Sequence, residues 1–316
     1  MIELTNKQKC DFFQVGFLVL SDFFRQNEID EMKTSFQSLQ ETAFSLANQH
    51  LDELEQEKET YAMHRGAQFV LGRIQRGVNS GQPSIRRVAW CGAAEPMLSK
   101  YGKDQRLLYV ASQLLGSKEM SQLINQAHFK LPGDEVTFEC HQDSTHRGYG
   151  GNYWQDINGR GSYVQTLTAI DDVTEKNGPV YFIPNTVKLG HLDLPRKLNQ
   201  CLQAGLFRLE DAVPVEMKAG SIAPTHILSM VVNPTALTIH VMCSSMVMLT
   251  QELTLDNMQE KVQGEQLCVS MTLWRQRPVE PLSSITYYLH ENFKNSFPFL
   301  FVHTVNDVGL AASAET

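Results

Sequence analysis

Near residue 127 the apolar pattern of this 316-residue chain changes period, and that change limits its architecture more than any single motif does. Before it, apolar residues recur at helical spacing. Ile29, Met32, Phe36 and Leu39 mark the inner face of what the spacing predicts as one long helix from about Gln26 to Gln56. A shorter helix over 5–13 is expected, capped by Thr5 and burying Phe12 and Phe13. Between the two, Gly16-Phe17-Leu18-Val19-Leu20 predicts a buried strand. Residues 104–125 suggest another helix or two, and Arg73–Pro83 a loop. After residue 127 short β-type runs follow one another: His128–Leu131, Val136–Cys140, Ser162–Ile170 and Pro179–Ile183, the last behind the strong turn signal Asn177-Gly178. Helices first and short strands afterwards predict an α+β chain with a mainly β core, a sandwich or a barrel.

Composition narrows the function classes. The formal net charge is −8 and no basic stripe is visible, so a nucleic-acid partner is not expected. Cys10, Cys91, Cys140, Cys201, Cys243 and Cys268 show no CxxC spacing, which fits free thiols in a reducing compartment better than a disulfide scaffold or a zinc site. The opening residues carry no apolar signal core, and no run of about 18 apolar residues occurs. The expectation is a cytoplasmic protein without a membrane span, an organellar address being left open. The acid-rich stretch Asp52–Glu59 reads as a solvated helix face.

The chemistry-bearing residues are His141-Gln142-Asp143. On a strand, residues two apart point to one face. An imidazole and a carboxylate on one face are two of the three ligands of a 2-His-1-carboxylate iron site. Alone, this tripeptide is a weak signal. Its surroundings are Phe129-Lys130-Leu131-Pro132-Gly133 upstream and, downstream, Asp171-Asp172-Val173-Thr174 leading through Asn177-Gly178 to Ile183-Pro184-Asn185-Thr186. Together with the Gly16–Leu20 run and the helix after it, this order resembles the phytanoyl-CoA dioxygenase family of 2-oxoglutarate oxygenases over about residues 10–222. The family's usual Ile-Pro-Gly-Ser-His is replaced here by Ile183-Pro184-Asn185-Thr186-Val187.

The resemblance implies a double-stranded β-helix, or jelly roll, flanked by N-terminal helices. It implies a single oxygenase domain over 1–265, mostly helical over 1–125 and jelly roll over 126–265, with 266–316 as a separate C-terminal segment. Fe(II) would bind His141 and Asp143, Lys130 would receive a carboxylate of the cosubstrate 2-oxoglutarate, and ascorbate is a candidate reductant. Molecular oxygen and a small organic or acyl molecule would be the other partners. With Asp143 present, hydroxylation coupled to conversion of 2-oxoglutarate to succinate is favoured over halogenation. The Gly148–Gly161 loop, with Tyr149, Tyr153 and Trp154, is a candidate substrate lid.

The pattern breaks after Val213–Gly220. The family's second histidine should fall about eleven residues beyond Gly220, where Val231 stands, and its arginine eleven residues later; no arginine occurs between Arg208 and Arg275. His226 is the nearest substitute ligand and His240 the next. Codon logic offers one account. Joining the third base of each codon to the first two of the next forces glycine at Met230–Val231, valine at Met242–Cys243 and glycine at Met246–Val247. With permitted choices elsewhere this frame spells HGSEPNSSNYSRYVLINGYAYPGAN, with histidine and arginine eleven apart. A reading-frame slip beginning between Ser221 and Thr225, from about residue 222 onward, is therefore expected. The competing readings are a non-catalytic jelly-roll binding protein or degenerate relative in which the segment is genuine, and a hydrolase of the HxD type, for which no further His/Asp pairs are found.

Overall fold

The computed structural model describes residues 2–56, 59–72, 84–118, 120–130, 138–146, 163–226, 228–233 and 239–248. Helix α1 (Asn6–Val15) starts where expected: the Thr5 hydroxyl accepts from the Gln8 amide and the Gln8 side chain accepts from the Thr5 amide. It stops at Gly16, whose φ of 103° suits a residue without Cβ and whose carbonyl takes hydrogen bonds from the His226 amide and the Ser229 hydroxyl. The predicted long helix is two pieces, α2 (Gln26–Ala47) and α3 (Leu51–Gln56). Between them Gln49 and His50 donate to carbonyls only three residues back, which tightens the last turn and ends the helix. Ile29, Met32, Phe36 and Leu39 are buried as the spacing predicts.

Residues 59–72 and 84–89, inside the part expected to be mostly helical, form three antiparallel strands: β1 (Glu59–His64), β2 (Ala67–Gly72) and β3 (Ser84–Ala89); the loop expected over Arg73–Pro83 lies outside the described residues. The turn from β1 to β2 is Arg65-Gly66, both with positive φ, a hairpin geometry matched to strand twist. Three helices follow, α4 (Cys91–Ala94), α5 (Pro96–Gly102) and α6 (Gln105–Leu115), the last capped by the Asp104 carboxylate. Strand β4 (Met120–Lys130) begins earlier than expected, so the helical reading of 120–125 does not hold. Ser121, Gln122, Asn125, Gln126 and Ala127 are all buried, and a strand covered on both faces loses the alternation by which strands are recognised.

The remaining elements are β5 (Phe138–Gln142), α7 (Asp143–His146), β6 (Tyr163–Ala169), β7 (Tyr181–Ile183), α8 (Leu198–Gln203), β8 (Val213–Pro214), β9 (Ile222–His226), β10 (Met230–Asn233) and β11 (Ile239–Met248). They make a seven-stranded sheet in the order β1-β2-β3-β4-β11-β6-β9 and a four-stranded sheet in the order β5-β10-β7-β8. The predicted strand at 16–20 lies along the edge of β9, bridging Phe17 to Thr225 and Leu20 to Ile222. The outer face of the large sheet packs on the helices, with Phe129 5.2 Å from Phe36. From its inner face Leu167, Ala169 and Ala223 cluster with Phe182 and Val231 of the small sheet and with Val215, just past β8. Two antiparallel sheets facing one another, with the chain crossing between them at every step after β4 except from β7 to β8, are a double-stranded β-helix, and the α+β class with a mainly β core holds.

Candidate metal centre

His141 lies on β5 directly opposite Val231 of β10, which in turn lies opposite Phe182 of β7. Directly opposed residues of antiparallel strands share a face. Val231 and Phe182 pack into the cluster between the sheets, so His141 belongs to the row that looks into the inter-sheet space. Its Nδ1 lies 2.8 Å from the Glu139 carbonyl oxygen. A carbonyl can only accept, so the proton sits on Nδ1 and Nε2 is the basic nitrogen, the tautomer a metal needs.

Asp143 is the first residue of α7 and is half-buried. The strand expected to carry both His141 and Asp143 ends at Gln142, so the carboxylate is placed by the first turn of α7 and not by strand alternation. Gln142 points to the opposite side, in the row of Met230 and Ile183, and is fully buried. Its Nε2 donates to the Gly190 and Leu228 carbonyls at 2.9 and 2.8 Å, and its Oε1 accepts from the Leu192 amide at 2.8 Å. Next to it, Ser144 Oγ is 2.8 Å from His191 Nδ1. These contacts tie the β5–α7 junction to the chain at 190–192 and at 228, and so fix the backbone that carries His141 and Asp143.

Lys130 ends β4. Its Nζ donates to the Gly178 carbonyl, 2.6 Å away beside β7, so the side chain reaches from the large sheet toward the small one. Burial pushes the ammonium down to about 8, which leaves it mostly charged at neutral pH. His128, two residues earlier, was missed from sequence. It pairs through Val241 with Ala169 of the inter-sheet cluster, so His128 and Lys130 share the inner face, with Arg87 of β3 directly opposite His128. Burial, and then the positive fields of Arg87 and Lys130, hold His128 down at about 3, so it is neutral at physiological pH. The signal that could have found this polar wall is period two counted back from Lys130.

His226 does not join this site. It shares the outer face of β9 with Ile222, and its ring stands 5.5 Å from Phe12 and 6.1 Å from Phe13. Its Nδ1 accepts from the Leu228 amide, and the residue is 3% exposed. It is a satisfied core histidine under α1, and its proposed role as a substitute ligand is corrected on that ground: four residues from Ile222 along a strand, it inherits the helix-facing side. His240 lies on β11 opposite Phe129. The Gly148–Gly161 loop, the candidate lid, lies outside the described residues.

The donor chemistry can be set against an iron site. Among the described residues no group of three or more His, Cys, Asp and Glu is placed to hold a metal ion. The position facing His141 is an isopropyl group with no lone pair. Of a 2-His-1-carboxylate set, the described residues offer His141 and Asp143 as candidate donors and no third. No helix among the described residues is long and apolar enough to cross a membrane.

A family model described as phytanoyl-CoA dioxygenase (PhyH) matches residues 12–226. Comparison with curated proteins returns no match. Among solved structures, EctD from S. alaskensis with 2-oxoglutarate and 5-hydroxyectoine is similar at 17% identity and a TM-score of 0.52, over 78% of this chain and 76% of that one. HygX from Streptomyces hygroscopicus with nickel and 2-oxoglutarate bound is similar at 14% identity and a TM-score of 0.51, over 78% and 87%. AviO1 from Streptomyces viridochromogenes Tue57 is similar at 13% identity and a TM-score of 0.51, over 76% and 93%. At these identities the likeness is one of fold.

Proposed function

The chain belongs to the phytanoyl-CoA dioxygenase family, and from that membership we propose that it carries the scaffold of an Fe(II)- and 2-oxoglutarate-dependent oxygenase acting on a small organic or acyl molecule. The observation that carries this reading is the row of His141 facing into the inter-sheet space, with Asp143 next along the chain and the charged Lys130 reaching in from the opposite sheet. The metal-bearing and 2-oxoglutarate-bearing neighbours of the same fold support it. In such a site His141 would offer Nε2, Asp143 a carboxylate oxygen, and Lys130 a cation for one carboxylate of the cosubstrate. The bound metal would supply oxygen activation, the protein geometry and exclusion of water. Because the described residues offer two donors, no reaction step is assigned to this chain.

The test is conversion of 2-oxoglutarate to succinate under Fe(II) and oxygen, compared among the natural chain, His141→Ala and Asp143→Ala. Turnover that both substitutions abolish supports the reading. Equal turnover in all three would sink it.

Val231 favours a second reading, a jelly roll that binds a small molecule without turning it over. A chain that forms no succinate yet unfolds cooperatively supports that alternative. Sequencing the transcript across the codons for Gly220 to Arg275 separates the two at the level of the gene. A frame that restores histidine and arginine eleven residues apart makes the native product a complete oxygenase; the frame as it stands leaves the binding reading.

A further inference from the structure

We infer that Val231 occupies the position of a third metal donor, so that the described residues form a two-donor half-site which a single substitution completes. The inference rests on the oxygenase reading of His141 and Asp143 and concerns one residue of this chain.

The argument is one of register. Val231 lies directly opposite His141, and Met230 and Gln142 form the next pair in register. The Cβ atoms of such a cross-strand pair stand about 4.5–5.5 Å apart on one face. Two imidazoles on that spacing can turn their nitrogens toward a common point, because each ring reaches several ångström beyond its Cβ. With Asp143 arriving from the start of α7, a donor at 231 would make three donors from three backbone segments and leave the far side of the metal open, the arrangement of a facial 2-His-1-carboxylate site.

The surroundings fit a position meant to look inward. Val231 is half-buried and packs against the cluster that includes Leu167, Phe182 and Ala223, so its side chain is directed at the inter-sheet space. The strand carrying it is held from both sides, by β5 and by β7. The register departs from regular pairing only beyond it, between Val231 and Asn233. The other histidine considered as a ligand, His226, is on the wrong face of a different sheet and is already hydrogen-bonded.

The experiment titrates Ni(II) alone, with no cosubstrate, into the natural chain, Val231→His, Val231→Asp and the double variant Val231→His/His141→Ala, and reads affinity by calorimetry. Circular dichroism melts on each protein show that it is folded. The expected result is that Val231→His binds Ni(II) at least about a hundredfold more tightly than the natural chain, since losing even a supporting partner of a ligand costs such sites about 10–100-fold. The gain should vanish in the double variant. If Val231→His does not fold, Val231→Asp gives the same reading with a smaller side chain.

Three outcomes would overturn the inference. One is tight Ni(II) binding by the natural chain that depends on His141, which would mean that another residue already serves as third donor; the oxygenase reading would survive it. Another is equal, weak binding by the natural chain and both folded variants. The last is a gain that persists without His141. Failure of the oxygenase reading has a different signature: Val231→His gains Ni(II) affinity as expected, but adding 2-oxoglutarate does not tighten it further.

Discussion

Replacing Gln142 with leucine keeps most of the volume of a fully buried side chain and deletes its three hydrogen bonds. The Leu228 carbonyl is left in a buried place, while the Gly190 carbonyl and the Leu192 amide are half-buried, where water can reach them in part. At about 1 kcal/mol net for each bond, the loss is about 3 kcal/mol. For a chain of this size that lowers the melting temperature by roughly 6–10 °C. Urea unfolding followed by far-UV circular dichroism measures it, with the slope against urea checked for constancy. Gln142→Glu sharpens the test. It places a carboxylate against two carbonyl oxygens, so at neutral pH it should be less stable than Gln142→Leu. It should recover as pH falls and the protonated acid donates to one of them. A Gln142→Leu protein within about 0.5 kcal/mol of the natural chain, a shift no larger than an ordinary surface change gives, would refute the reasoning. So would a Gln142→Glu protein no worse than the leucine variant at pH 7.

Two further outcomes follow from described contacts. Lys130 is held at about 8 against its ordinary 10.5. Between those values the unfolded chain binds more protons than the folded one, so stability should rise as pH climbs from about 8 toward 10.5. The difference between the natural chain and Lys130→Met, measured by urea unfolding across that range, should carry this rise, and a flat difference would refute it. Gly102→Ala would set a Cβ 1.7 Å from Asn125 Nδ2, a buried amide that donates to the Leu98 carbonyl and accepts from the Cys91 thiol. The expected loss is about 1–3 kcal/mol, the range for overpacking, and an unchanged unfolding midpoint would count against the packing described here.

Strands β5, β6 and β7 were legible because they are short, apolar and bounded by turn residues. Asn177-Gly178 announces its turn, and Gly178 does take φ of 78°. Strands β1–β3 were not legible. Arg65 adopts a left-handed conformation that its side chain does not advertise, and tertiary pairing with β4 makes these residues strands. At the candidate site, His141 and Asp143 are proposed from their two-residue spacing and Lys130 from the family resemblance. The polar wall of Arg87 and His128 could not be named, since it is assembled by register between strands about forty residues apart in the chain. Val231 could be placed by counting from Gly220. Its pairing with His141 could not, because register between β5 and β10 depends on how the chain turns at Leu228 and Ser229 after β9.

The strand order of the large sheet has a consequence for how this molecule is made. Among the described strands its two halves, β1–β4 and β6 with β9, are hydrogen-bonded to each other only through β11, which is also the latest of them in the chain. Until residues 239–248 emerge, β4 and β6 each present a bare hydrogen-bonding edge, the template on which foreign strands pair. A nascent chain stalled or cut before Ile239 therefore holds two half-built sheets with matching open seams, and the keystone that would close them is the piece it lacks.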